Sequence, residues 1–215
     1  GSLSHRIEQE YHIGEELYRG DIKRGLRNSD GTGVPIGVTR VGSVLGYMIE
    51  DGVRIPVPGQ LYYRGIELNE IVEAHRQAGT FGFEEVAYLL LMGELPTQER
   101  LNRFVEVIDS QRELPDGFTA SMIMRDTPPD IMNVLARTIL LLYAYDPDAE
   151  DRSAHHEIHT AISLISRLPR IMVLTYYAKR ARYNNESMIM HRFIPGQSTA
   201  ETDRKSTRQN SSHGV

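Results

Sequence analysis

The chain has 215 residues, enough for one domain with an ordinary core or for two small ones. Hydrophobic content of 40% and charged content of 25% are normal for a globular protein, and no apolar run approaches the roughly 20 residues that cross a bilayer. The net charge of -5 argues against nucleic-acid binding, and the absence of cysteine excludes disulfides and thiolate chemistry, which fits a cytoplasmic protein.

The start of the chain carries no Met and lacks the apolar core of a secretion signal. We expect either that the first residue is a processing scar or that the piece was cut from a longer chain. Residues 5–26 contain scattered apolar side chains and are predicted to be helical for part of their length. The glycine-dense residues 28–46 predict an ordered loop. Phosphate binding is the alternative interpretation of this loop, but neither the GxGxxG nor the P-loop spacing occurs in it.

A small β-hairpin is predicted at about 44–63. The sequence there alternates between apolar and polar residues, and Asp51-Gly52 is a strong two-residue turn signal. Pro56 and Pro58 lack the N–H that a paired strand needs, so they predict that the second strand lies at a sheet edge. The hairpin is the one sheet expected in a mainly α fold.

Helices are predicted to dominate after the hairpin. Residues 83–92 are apolar on most sides, which predicts a buried helix. Glu84 and Glu85 fall in its first turn, where the helix dipole favours negative charge, and Gly93 ends it.

Three further helices are predicted downstream. Thr97 caps the first, and its apolar stripe consists of Leu101, Phe104, Val105 and Ile108. Residues 127–147 place proline at the start of the second, whose apolar side consists of Ile131, Val134, Leu135, Thr138, Ile139 and Leu142. The apolar pattern of residues 161–177 is interrupted at Pro169, where we expect a kink or a break.

Two features are candidates for chemistry. In the segment HHEIH, His155 and His159 are four residues apart, so on a helix they share a face that could bind a metal, although the sequence marks no third ligand. We favour the simpler interpretation, a solvated first turn of a helix capped by Ser153. Arg64, at a strand-to-helix junction, could grip a carboxylate or phosphate, and we favour a role in tying loops together. No serine-hydrolase motif occurs.

Several segments in register point to one family. In chain order they are GLRNSDGTGVPIGVTRVG (25–42), YYRGI (62–66), EEVAYLLLMGELP (84–96), DIMNVLA (130–136) and ISLISRLPRIM (162–172). Their order and spacing over residues 20–201 resemble the N-terminal portion of a citrate synthase of the bacterial type. The resemblance implies that residues 1–202 form a multi-helical part of the large domain of the citrate synthase fold, with the small N-terminal β-hairpin.

The resemblance also implies an activity. The family is an acyltransferase that condenses acetyl-CoA with oxaloacetate and water to citrate and CoA in the tricarboxylic acid cycle. The resemblance further implies that the protein is a homodimer located in the cytoplasm. A carboxylate removes a proton from the acetyl methyl group, histidines stabilise the enol and polarise the oxaloacetate carbonyl, and arginines hold its carboxylates. The motifs that carry these groups follow the matched part in the family, and this chain does not contain them. We therefore assign no catalytic residue, no metal ligand and no cofactor-binding residue, and we expect the chain alone to be inactive.

Exposed apolar surface is a further expectation. In the complete enzyme, helices 83–92 and 130–145 are expected to pack against the missing half and a second subunit. Without those partners they present apolar surface to water, so the isolated chain is expected to self-associate. Acetyl-CoA is expected as a substrate of the full-length enzyme, and no cofactor is expected on this chain.

The last residues differ from the rest. Residues 203–215 are polar until Val215, and the stretch 203–213 resembles translated sequencing-adapter sequence, with a disordered linker as the alternative. Three other functions stay open for the chain. These are a fragment of 2-methylcitrate synthase, whose pattern is close, a non-catalytic helical interaction module derived from the enzyme, and a metal-dependent hydrolase built on HHEIH.

Overall fold

The computed structural model describes residues 25–28, 31–34, 39–188, 196 and 198–201. The chain divides into two compact units, Gly1–Arg40 and Val41–Val215. The predicted helix at 5–26 lies almost entirely outside the described residues, as does the tail at 203–215. The described part is mainly helical with a three-stranded antiparallel sheet, which confirms the predicted fold class.

The first unit contains part of the predicted glycine-rich loop. Asn28 donates from its side-chain amide to Thr32 Oγ1 at 2.9 Å and to the carbonyl of Gly33 at 3.3 Å. The backbone of Arg27 forms an isolated antiparallel bridge with Gly33. Gly31, at the tip, has φ of 84°, a left-handed conformation that glycine adopts without a steric penalty. The loop prediction is confirmed for this stretch.

The hairpin is present. Strand β1 is Gly42–Glu50, strand β2 is Val53–Tyr63, and they pair antiparallel. Asp51 and Gly52 both have positive φ, 50° and 76°, as a tight two-residue hairpin turn requires. The hairpin begins earlier than predicted, because Gly42 already pairs with Tyr63. The glycine-rich loop therefore ends before β1, and the prediction of a loop as far as residue 46 is wrong.

The edge prediction for the prolines needs a correction. A short third strand, β3 (Ile66–Glu67), makes β2 the middle strand of the order β1-β2-β3. However, β3 pairs only with Tyr62 and Tyr63, so among the described residues the proline-containing part of β2 has a neighbouring strand on one side alone. The register shifts between Leu45 and Tyr47, and Pro58 falls in that irregularity, where a missing N–H removes no regular ladder bond.

Helix α1 (Leu68–Ala78) follows the sheet, and α2 (Phe83–Met92) follows α1. Gly79 and Gly93 end these helices in the left-handed conformation, as predicted for Gly93. The prediction that α2 is a buried helix holds for only part of its surface. Leu89 is fully buried, whereas Phe83 and Met92 are exposed. Glu84 and Glu85 lie in the first turn as predicted, and Glu84 is buried because it has partners elsewhere in the chain.

Helix α3 (Gln98–Ser110) begins as predicted, because Thr97 Oγ1 accepts a hydrogen bond from the N–H of Arg100. Helix α4 (Ile131–Leu142) is capped by Asp130, whose carboxylate accepts from the backbone of Met132 and Asn133. The two prolines lie before this cap, so the prediction of proline at the helix start is wrong by two residues. A π-helical turn at Thr119–Met124 and a 3-10 turn at Tyr143–Tyr145 were not predicted.

Helix α5 (Ala154–Tyr183) has 30 residues and contains Pro169. A break there was one of the predicted outcomes and is wrong. Proline removes one backbone hydrogen bond, but buried residues on both sides of it, among them Ser166 and Ile171, keep the helix packed. None of the described helices is long and apolar enough to span a membrane.

In the part of the chain that the structure describes, two apolar clusters form the core, and α5 contributes to both. The first consists of Phe118, Ile123, Leu142, Ile171, Leu174 and Ala178. The second consists of Ala87, Phe104, Ile108 and Ile162. Helix α5 is therefore the central element against which α2, α3, α4 and the π-helical turn pack.

Candidate functional site

Arg64 lies between β2 and β3, in the turn that leads to α1. Its φ is 50°, its backbone N–H donates to the carbonyl of Val41 at 2.8 Å, and Nη2 donates to the carbonyl of Leu90 at 2.8 Å. These bonds join the sheet to α2, which confirms the role in tying loops together. Within the described residues, Nε is buried without a hydrogen-bond partner. These contacts do not support the alternative role, in which Arg64 binds a carboxylate or phosphate.

The histidine segment forms the first turns of α5. Ser153 caps this helix by accepting from the N–H of His156 at 3.2 Å, which confirms the predicted cap. The prediction of a solvated turn is wrong for His156, whose side chain is only 13% exposed. Its Nε2 lies 3.1 Å from Asp146 Oδ2 and 3.3 Å from Thr160 Oγ1.

The pair predicted from spacing is not the pair that meets. The ring of His159 lies against His156, 6.2 Å between centroids, and His155 is exposed. No group of three His, Cys, Asp or Glu residues that could hold a metal occurs within the part of the chain that the structure describes. Helical spacing could not point to Asp146, because this residue lies in the loop before the helix.

A cavity of about 720 Å³ opens beside this segment, between the end of α3, the end of α4 and the first half of α5. Its lining includes Tyr143, Asp146, His156 and His159. A serine-type triad needs both ring nitrogens of its histidine, one toward the nucleophile and one toward the acid. Here Asp146 and Thr160 contact the same nitrogen, so the arrangement cannot act as a triad.

A second histidine, His75, which no sequence motif marks, connects α1 to α2. Nδ1 of His75 lies 2.8 Å from Thr80 Oγ1, and Nε2 contacts a carboxylate oxygen of Glu85. Gly82 leaves room for the ring, because a Cβ at that position would lie 2.5 Å from Cδ2 of His75. The backbone N–H of Thr80 donates to the carbonyl of His75 at 3.0 Å. Because this N–H already has a partner, it is not available to stabilise a negatively charged oxygen of a substrate. The contacts staple two helices together.

An apolar groove of about 850 Å³ lies beside this staple. Side chains of α1 and α2 line most of it, among them Ile71, Val86 and Leu90, and Ile165 of α5 also lines it. Such a groove offers apolar contact and few polar groups to orient a small substrate.

The most buried charged cluster involves residues that are far apart in sequence. Glu84 on α2 and Arg112 after α3 are each 4% exposed, and Arg112 Nη2 lies 3.7 Å from Glu84 Oε1. Arg112 Nε lies 2.9 Å from Asp109 Oδ1. Burial lowers the pKa of the Arg112 guanidinium, and the neighbouring carboxylates of Asp109 and Glu84 oppose that shift. Glu84 Oε1 also accepts from the backbone N–H of Thr199 at 2.7 Å.

Comparisons with known proteins identify the family to which the chain is similar. A family model described as "Citrate synthase, C-terminal domain" matches residues 30–210. The chain is 32% identical over 120 residues to 2-methylcitrate synthase 1 of Corynebacterium glutamicum, covering 56% of this chain and 30% of the relative. It is 30% identical over 171 residues to citrate synthase of Haloferax volcanii, covering 76% of this chain and 38% of that relative.

Solved structures agree with the fold. One is a ternary complex of carboxymethyl coenzyme A and oxaloacetate with citrate synthase from Thermoplasma acidophilum, with a TM-score of 0.63 and 21% identity, covering 80% of this chain and 40% of that one. Another is citrate synthase from Pyrobaculum aerophilum, with a TM-score of 0.62 and 22% identity, covering 82% and 41%. The chain therefore spans well under half the length of the proteins it matches.

Proposed function

Because the chain belongs to the citrate synthase family, we propose that the protein of which it forms part condenses acetyl-CoA with oxaloacetate and water to citrate and CoA in the tricarboxylic acid cycle. The observation that carries this proposal is the family match over residues 30–210. The helical architecture supports it, since the solved structures similar in fold are citrate synthases. Acetyl-CoA and oxaloacetate are then substrates, and the proposed location is the cytoplasm.

A 2-methylcitrate synthase is the second candidate. Identity to the enzyme named 2-methylcitrate synthase 1 of C. glutamicum is 32% over 120 residues, and identity to the citrate synthase of the same organism is 32% over 127 residues. Identity therefore does not favour either acyl group. Steady-state assays of the complete gene product with acetyl-CoA and with propionyl-CoA, at fixed oxaloacetate, distinguish the two, because kcat/KM with each acyl-CoA measures the preference directly.

We propose that this 215-residue chain does not catalyse the reaction alone. Enol chemistry needs a base and hydrogen-bond donors that converge on the acetyl group. The histidine contacts described above are used within the protein, by Asp146 for one ring and by Thr80 and Glu85 for the other. The family match extends past Thr202 to residue 210, and its description names a C-terminal domain. The predicted boundary at 202 and the N-terminal placement therefore stay predictions.

We further propose a homodimer. Helix α4 turns one apolar stripe to solvent, including Met132 at 70% exposure, Leu140 at 76% and Tyr143 at the following turn. Exposed large apolar side chains spaced along one helix face are typical of a surface that packs against another protein. A non-catalytic interaction module would use the same stripe. In a pull-down, such a module would capture a complete citrate synthase and show no turnover in any form.

A CoA-release assay with oxaloacetate and acetyl-CoA tests the proposal. The complete gene product should release CoA only when both substrates are present. The 215-residue chain should show no release above a heat-denatured control. Turnover by the short chain would overturn the proposed inactivity, and failure of the complete product with either acyl-CoA would overturn the proposed reaction.

A further inference from the structure

The buried cluster at Glu84 receives the end of the described chain. Two carboxylates, from Glu84 and Asp109, face one guanidinium, from Arg112. Each carboxylate also accepts a backbone N–H from the segment at 196–201. The N–H of Gly196 donates to Asp109 Oδ2 at 3.0 Å, and the N–H of Thr199 donates to Glu84 Oε1 at 2.7 Å.

The receiving segment is the start of a helix. Ser198 and Glu201 form a capping box, in which the N–H of Glu201 donates to Ser198 Oγ at 3.1 Å and the N–H of Ser198 donates to Glu201 Oε2 at 3.3 Å. Thr199 is the first helical residue and is buried. The capping box leaves the N–H of Thr199 without a partner inside the helix, and Glu84 supplies one from outside.

The charge of the acceptor explains why this contact is favourable. Within the described residues, the carboxylates of Glu84 and Asp109 share one buried guanidinium, that of Arg112. A hydrogen bond to a charged acceptor is stronger than one between neutral groups. The backbone N–H of Thr199 therefore gives Glu84 a favourable donor in addition to the shared guanidinium.

We infer that Glu84 is an anchor that holds the helical turn beginning at Thr199 against the start of α2. The contact spans 115 residues of sequence. The inferred anchoring role requires no catalytic activity, so it can be tested independently of the proposed reaction.

The test compares two substitutions at one position. Thr199→Pro removes the N–H that Glu84 accepts, and proline is well tolerated at the first position of a helix, where no intrahelical bond is lost. The preceding residue, Ser198, is a helix cap, which normally has the extended conformation that proline requires of its neighbour. Thr199→Ala is the matched control, since it removes the same side chain and keeps the N–H.

Amide hydrogen exchange gives the readout. We expect the amide of Glu201 to exchange about tenfold faster in Thr199→Pro than in Thr199→Ala, the ratio corresponding to loss of one charge-assisted hydrogen bond. The amide of Val134, on α4, should be equally protected in both proteins. Glu84→Gln should also accelerate exchange at Glu201, and it should add little in the Thr199→Pro background, because the shared bond is already absent.

Equal exchange at Glu201 in Thr199→Pro and Thr199→Ala would overturn the inference. Full additivity of Thr199→Pro and Glu84→Gln would overturn it as well, since independent effects mean that the two groups do not act through one bond. If Glu84→Gln unfolds the chain, the comparison of the two Thr199 variants still decides, because both retain the carboxylate.

Discussion

Gly82→Ala isolates the space that the His75 ring occupies. The backbone at Gly82 has φ of -97° and ψ of 8°, which alanine can adopt, so the substitution introduces no left-handed strain. The added Cβ would lie 2.5 Å from Cδ2 and 2.7 Å from Nε2 of His75. The ring cannot turn away freely, because Thr80 holds one nitrogen and Glu85 holds the other.

Two costs add in this variant. Overpacking of this kind costs about 1–3 kcal/mol of unfolding free energy. Gly82 is also the N-cap of α2, where alanine is less favourable than glycine by up to about 1 kcal/mol. Urea unfolding followed by circular dichroism should therefore give a decrease in unfolding free energy of about 1–4 kcal/mol, with an unchanged slope.

A His75→Ala background separates the two costs. Without the ring, Gly82→Ala should retain only the capping cost of about 1 kcal/mol. Gly59→Ala is the control, because a Cβ there meets nothing within 4 Å and its effect should stay within about 0.5 kcal/mol. An equal cost of Gly82→Ala with and without His75 would refute the reasoning.

Three further outcomes are expected. Ile171→Ala should lower the unfolding free energy by about 2–5 kcal/mol in a urea titration, because the side chain is fully buried. The control is the neighbouring Met172→Ala, at an exposed position, which should change the unfolding free energy by less than about 1 kcal/mol. Leu140→Glu should reduce self-association in sedimentation velocity without lowering helicity, and unchanged association would contradict a role for the exposed stripe of α4. Hydrogen bonds from Ser153 lower the pKa of Asp151, so the carboxylate stabilises the start of α5 above pH about 4, and this contribution is lost as pH falls through the lowered pKa. Asp151→Asn should remove that pH dependence from the NMR amide shifts of this turn. An identical titration of these shifts in the variant would contradict the prediction.

Features set by short-range chemistry could be predicted from the sequence. The hairpin turn depends on Asp51 and Gly52 alone, and the caps at Thr97 and Ser153 depend on a hydroxyl three residues before the N–H that it accepts. The apolar stripes of α3 and α4 follow from helical spacing. These features need no knowledge of what the element packs against.

Features set by distant partners could not be predicted. Glu84 is buried because Arg112 and Thr199 converge on it, and neither is marked by spacing. The pairing of His156 with Asp146 depends on the path of the loop before α5, so the sequence pointed to His155 and His159 instead. Pro169 suggested a break, but lateral packing along α5 outweighs one missing hydrogen bond.

The length of α5 has a consequence for how the second unit loses its structure. Thirty helical residues extend about 45 Å at 1.5 Å per residue, and both apolar clusters rest on this one rod. Neither cluster can unfold without the loss of packing contacts to the same helix. A probe in either half should therefore report a single cooperative foldon, with α5 the last element to become accessible to solvent.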